Sequence, residues 1–312
     1  MTSTGIPLKD RFEGCLIGLA VGDALGGRFE AQSAAAIRQR FPSNAHLISY
    51  PQDELWYTDD TQMAIGVAEA LVARGEIVED ELCARLVANY VPSRGYGRGA
   101  RVVLDAMESG EDYRRVAEEY FPGGSYGNGA AMRVAPVGLF FRNDVTRLRE
   151  QARLSALPTH RHPLGIEGAQ ILALAIAIVI RTERFDRSAF FAELLTACTS
   201  NEFRHKVELA SRVRSPADLD ALGNGIEAIQ SVPTAIASFA LTPDSFDDSI
   251  SHCIFLGGDT DTIAAMSGAV SGAYVGFGRV NPRLVGLLER SPKGGGYIRQ
   301  LAGSLYDLST PG

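Results

Sequence analysis

Apolar positions recur at helical spacing along most of the chain. In TQMAIGVAEALVARGE, residues 61–76, Met63, Val67, Ala70 and Leu71 fall on one face, and ELCARLVANYV, residues 81–91, repeats the pattern. Alternating, β-branched strand patterns are scarce, so the spacing predicts a mainly α-helical chain. Gly, Pro, Ser and Asn cluster in FPSNAHLISYPQDE, VPSRGYGRGA, FPGGSYGNGA, LPTHRHPLG and FGRVNPR, which read as breaks between helices. None is long enough to be a linker, and no repeat or low-complexity tract interrupts them. The expectation is one all-α domain over residues 1–312.

Two apolar runs need separate treatment. AQILALAIAIVI, Ala169 to Ile180, is too short to span a bilayer and reads as a buried helix. CLIGLAVGDALGG has an apolar stretch only from Cys15 to Val21, flanked by Glu13 and Asp23, and lacks the context of a signal peptide. No membrane segment is expected. In AAMSGAVSGAYVGFG, Gly268, Gly272 and Gly276 recur every four residues, each at about 1 kcal/mol of helix propensity. A close helix-to-helix approach would explain them.

Composition narrows the class. The 312 residues, 46% hydrophobic and 21% charged, suit a globular protein with a substantial core. With 30 Lys+Arg against 37 Asp+Glu the net charge is −7, which argues against a broad basic face for nucleic acid. Phosphate groups would have to be handled locally. The cysteines, Cys15, Cys83, Cys198 and Cys253, show no zinc spacing and read as reduced core thiols of a cytoplasmic protein.

The chemistry concentrates in two acidic turns. WYTDDTQMA sets Asp59 beside Asp60 after Thr58, and LGGDTDTIAA places Asp259 and Asp261 around Thr260 with Thr262 following. Each turn directly precedes an apolar helix. A helix N-terminus favours one negative charge, so capping explains one carboxylate per turn and not two. The residues leave two arrangements: a pair of unrelated capped turns, or a binuclear site in which hard divalent cations offset the repulsion.

Three further stretches carry weaker signals. GGSYGNGAAMR, residues 123–133, has the glycines for an anion-cradling loop, with Ser125 and Asn128 as donors and Tyr126 as a ring to stack on a base; an ordinary turn is the alternative. GLAVGDALGGRFE ends in Glu30, a general acid or base, a metal ligand, or a surface carboxylate. PTHRHP holds His160 and His162, which read as substrate-contacting or structural rather than as ligands of a hard cation.

Taken in chain order, GDALGGRFE, YTDDTQMA, RGYGRGA, GSYGNGAAMR, TH and LGGDTDTIAAMSGA resemble the ADP-ribosylglycohydrolase family, from Gly14 to Gly276. RGYGRGA and GSYGNGAAMR are more similar to the branch acting on serine-linked ADP-ribose and poly(ADP-ribose); Ala130 departs from that branch's usual glycine.

The resemblance implies a compact helical fold with two Mg²⁺, or Mn²⁺, in a central cleft. The implied ligands are Thr58, Asp59, Asp60, Asp259, Asp261 and Thr262, with Glu30 catalytic or metal-gating. Gly124, Ser125, Tyr126, Gly127 and Asn128 match the ADP-ribose loop, and His160 the substrate-contacting histidine. The implied reaction is hydrolysis at C1″ of ADP-ribose carried by serine-modified proteins, poly(ADP-ribose) or O-acetyl-ADP-ribose. Arginine-linked substrates, or binding without hydrolysis, are the alternatives.

Overall fold

The computed structural model describes residues 5–310. Eighteen α-helices follow one another in it. The first six are α1 (Leu8–Gly26), α2 (Ala34–Arg40), α3 (Asn44–Ser49), α4 (Asp59–Arg74), α5 (Glu79–Asn89) and α6 (Arg98–Ser109). Next come α7 (Tyr113–Tyr120), α8 (Gly129–Met132), α9 (Ala135–Phe140), α10 (Val145–Ala156), α11 (Pro163–Val179) and α12 (Arg187–Ala197). The last are α13 (Asn201–Arg212), α14 (Ala228–Leu241), α15 (Phe246–Phe255), α16 (Thr260–Val275), α17 (Pro282–Leu287) and α18 (Gly295–Ser309). Extended pairing among the described residues is limited to isolated bridges such as Ser33 with Gly257. The fold is all-α.

Local chemistry sets the helix ends. Thr58 caps α4 by accepting from the Asp60 N–H, acidic Asp59 and Asp60 occupy the positive end of the dipole, and Arg74 the negative end. Gly75 then closes the helix in the left-handed region at φ 73°, a conformation that favours glycine. The 41–54 break contains a helix after all, because the Ser43 hydroxyl accepts from His46 N–H and starts α3.

α1 and α16 form the axis of the core. Every residue of α16, and α1 from Arg11 onward, is buried, so neither shows an amphipathic face. They pack antiparallel and unusually close: Gly14 faces Gly272, Gly18 faces Gly268, Gly22 faces Ala264 and Gly26 faces Thr260. A Cβ at any of these α1 glycines would run into α16 backbone. Gly268 and Gly272 thus serve the close approach expected of them. Gly276 serves it from just past the helix: α16 ends at Val275, and Gly276, at φ 78°, lies against Gly14 and Asp10 of α1.

The Ala169–Ile180 run forms most of α11 and lies in the same hydrophobic core. No described helix is long and apolar enough to cross a membrane. All four cysteines are free, with Cys83 half-buried and the others buried.

Candidate active site

The α1–α16 seam delivers the two acidic turns to one place. Thr260, at the start of α16, donates its hydroxyl to the Gly26 carbonyl at the end of α1, 234 positions away (2.9 Å). Asp23, in the last turns of α1, then fastens α4. Its carboxylate accepts from the Thr58 N–H at 2.9 Å, the Thr58 hydroxyl at 2.7 Å, the Thr61 N–H at 3.0 Å and the Thr61 hydroxyl at 2.5 Å. Asp59, Asp60, Asp259 and Asp261 therefore meet beside Asp23, all buried.

Asp23 is the residue that sequence reasoning passed over. Its signal was a lone acid inside the apolar run LAVGDALGG, where an unpaired charge would be costly.

The electrostatics are severe. Burial, then Asp23, Asp259 and Glu30, push Asp59 up to about 7. Burial, then Asp259, Glu30 and Asp23, push Asp261 up to about 9. Asp60 is raised well above the carboxylate range by burial, Asp23 and Asp261, and burial also raises Asp23 and Asp259. Among the described residues no Lys or Arg forms an ion pair with any of them. Asp60 Oδ1 is buried without a hydrogen-bond partner.

An oxygen-only set with excess negative charge and an orphaned acceptor fits a hard divalent cation, and it fits no thiolate or imidazole metal. Among the described residues no three acidic, imidazole or thiol side chains converge into a complete cage. A cation held by this set would draw on the Thr58 and Thr262 hydroxyls and on water to complete its shell, as Mg²⁺ commonly does. Thr262 supports the placement, since its hydroxyl lies 3.5 Å from Asp60 Oδ2.

Glu30 sits on the rim, on a turn between buried Phe29 and exposed Ala31. Ala31 adopts φ 61°, the left-handed region that costs a non-glycine residue about 1 kcal/mol. It is held there because its N–H donates to the Gly258 carbonyl at 2.9 Å, while the Gly258 N–H donates to Gln32 at 3.0 Å. The Glu30 turn is thus laced to the backbone just before Asp259. Partial burial, with Asp259 and Asp23 nearby, raises the Glu30 carboxyl.

The 123–128 loop faces this cluster across a cleft of about 330 Å³, lined among others by Asp59, Asp261, Asn128 and His160. Gly124 takes φ 90°, and a side chain there would strike the Arg161–His162 backbone. The Asn128 side chain donates to Asp259 Oδ2 at 2.5 Å, joining loop to acid. The anion-cradle expectation narrows, however. The N–H groups of Gly124, Gly127 and Asn128 already donate to Phe121 O, Ser125 Oγ and Ile226 O. Of the six amides from Gly123 to Asn128, that of Gly123 donates to Glu118, and those of Ser125 and Tyr126 are left without an acceptor among the described residues.

Tyr126 is 51% exposed and Ile226 70%, two apolar surfaces beside the same loop. Ile226 had no sequence signal. Ala130 lies buried within α8, outside the positive-φ turns, so its departure from glycine leaves the turn geometry intact.

His160 is buried at the cleft base, its Nδ1 paired with the Thr159 hydroxyl at 2.8 Å. Burial and the neighbouring Arg133 charge push it down to about 3, so it stays neutral. Arg133 is fully buried without a carboxylate; it donates to the Ser155 and Gly129 carbonyls. His162 has a structural task, capping α11 through Nδ1.

Fold and site together define an all-α protein with an oxygen-rich acidic centre at helix starts, opposed by a glycine loop suited to an anionic ligand. The ADP-ribosylglycohydrolase family model matches residues 4–312. ADP-ribosylhydrolase ARH3 of Gallus gallus is 34% identical, covering 97% of this chain and 94% of that protein. The ARH3 of Homo sapiens is 34% identical, covering 86% of each. A solved structure titled ADP-ribosylglycohydrolase-related protein complex superposes with TM-score 0.75 at 25% identity, covering 97% of this chain and 99% of that one. The chain belongs to the ADP-ribosylglycohydrolase family and is a hydrolase.

Proposed function

We propose that the cleft hydrolyses the C1″ glycosidic bond of ADP-ribose conjugates, with serine-modified proteins, poly(ADP-ribose) or O-acetyl-ADP-ribose as substrates. The observation that carries this is the meeting of five buried aspartates, without a basic partner, opposite the 123–128 loop. Two Mg²⁺, or Mn²⁺, held by Thr58, Asp59, Asp60, Asp259, Asp261 and Thr262 would supply Lewis acidity and orient ribose hydroxyls and water.

The chain's own groups supply the rest. The free Ser125 and Tyr126 amides donate to the pyrophosphate, and Tyr126 and Ile226 flank the adenine. Neutral His160 offers Nε2 toward the ligand, because its Nδ1 is engaged by Thr159. Breaking the bond builds oxocarbenium-like charge at C1″, which the surrounding carboxylates favour. Glu30, on the rim, takes a proton from the attacking water or gives one to the departing oxygen. Four unpaired cysteines support action in a reducing compartment such as the cytoplasm.

The test is release of free ADP-ribose from serine-linked, arginine-linked, polymeric and O-acetyl substrates, in Mg²⁺ and in EDTA, beside Glu30→Gln. Metal-dependent release from the serine-linked or polymeric substrate, lost in Glu30→Gln, supports the proposal. Release from arginine alone reassigns the branch, and binding without release makes the protein a reader of ADP-ribose.

A further inference from the structure

The chain's single tryptophan, Trp56, is 57% exposed, yet it stands on a firmly held backbone. Before it, the Leu55 N–H donates to Leu287 O at 2.7 Å, and the Leu55 carbonyl accepts from Glu289 N–H at 3.0 Å. After it, the Tyr57 carbonyl accepts from Arg94 at 2.7 Å, and Thr58 is fixed by Asp23. The Arg94 guanidinium lies 5.7 Å from the indole centre and is itself clamped by two 2.6 Å bonds to Glu289. A large apolar ring is thus pre-positioned and backed on one side, with the rest open to solvent. Such pre-organised aromatics are the usual anchors of recognition.

Two open troughs flank the indole. One, of about 490 Å³, runs past Val91 and Ser93 to Gly95, which also lines the catalytic cleft. The other, of about 390 Å³, runs along Gly27 and Arg28, at the base of the Glu30 turn. Both reach Thr58, and neither includes a residue of the 123–128 loop. The troughs therefore meet at Trp56 and Thr58, the residue directly before Asp59 and Asp60 of the acidic cluster.

We propose that Trp56 is a specificity-determining residue that grips the polypeptide bearing the ADP-ribose. A modified side chain belongs to a chain that leaves in two directions, and two troughs meeting at one point accommodate both. A small acyl conjugate, or the next unit of a polymer, continues in one direction only. This inference rests on the hydrolase assignment proposed above.

The experiment compares wild type, Trp56→Ala and Trp56→Phe on a mono-ADP-ribosylated peptide, on poly(ADP-ribose) and on O-acetyl-ADP-ribose. The expected result for Trp56→Ala is a rise of about tenfold in KM for the peptide with kcat nearly unchanged, within twofold of wild type on O-acetyl-ADP-ribose, and substantial recovery in Trp56→Phe. Equal losses on all substrates, no change on any, or a loss confined to the polymer overturns it. If wild type releases nothing from any substrate, the hydrolase proposal fails on its own. Calorimetry then decides the inference: the modified peptide must bind more tightly than ADP-ribose alone, and Trp56→Ala must abolish that difference.

Discussion

Asp23 and Thr58, 35 positions apart, are joined twice: the carboxylate accepts both the backbone N–H and the hydroxyl of the threonine. One buried acid thereby sets the first residue of α4, and with it Asp59 and Asp60. Asp23→Ala is expected to lower stability in Mg²⁺ by roughly 2 kcal/mol, because buried donors lose their acceptor. It should also weaken Mg²⁺ binding by about 10- to 100-fold, as loss of a residue orienting metal ligands does. Urea titration and a Mg²⁺ titration check the two effects; unchanged metal affinity would separate Asp23 from the site.

Asp60→Asn should act with opposite signs in the two metal states. In EDTA the variant is expected to be more stable than wild type, because burial beside Asp23 and Asp261 penalises the Asp60 carboxylate and a neutral amide escapes that penalty. With Mg²⁺ at 100 times its Kd, wild type should gain about 2.7 kcal/mol and the variant almost none. Thermal melts in EDTA and Mg²⁺ read both. A variant that stays metal-responsive and active would remove Asp60 from the centre.

His160 makes acid costly. Its folded value is about 3 and its unfolded value is the ordinary one near 6.5, so between them the unfolded chain binds the extra proton. Its contribution to stability is complete above about 6.5 and falls with decreasing pH, by up to about 1.4 kcal/mol per pH unit, until about 3. Wild type should therefore lose stability relative to His160→Gln as pH falls from 7 to 4. Urea titrations at four pH values measure that difference, and a constant gap would contradict a buried neutral imidazole.

Two glycine-to-alanine changes should part company. At Gly18 the new methyl meets the Gly268 carbonyl, and helices must separate; a loss of about 1–3 kcal/mol is expected. At Gly66, in α4, the nearest obstacle is a Leu86 methyl at 3.1 Å, which can give, so the gain in helix propensity should leave stability nearly unchanged. Melting temperatures of the two variants provide the comparison.

The helices and the acidic turns were legible because their signals are local. Met63, Val67, Ala70 and Leu71 mark a face, and TDD before an apolar run marks a helix start. What brings the turns together was not local. Asp23 has meaning only once Thr58 and Thr61 lie against it, and the glycines of α1 only once α16 does. Gly276 shows that a four-residue repeat can run past the end of its helix and still face the same neighbour. In the 123–128 loop, composition disclosed a turn, while the partners that consume four of its six amides lie partly in distant residues such as Ile226.

The α1–α16 seam also imposes an order on biogenesis. The end of α1 is made 234 positions ahead of the start of α16, and its glycine-lined, largely apolar surface is matched by that later helix. Until α16 emerges, the glycine face lacks its partner and the acidic centre lacks Asp259 and Asp261. Nascent chains of this protein are thus expected to carry an exposed sticky helix, and to need chaperone protection, until α16 has been made.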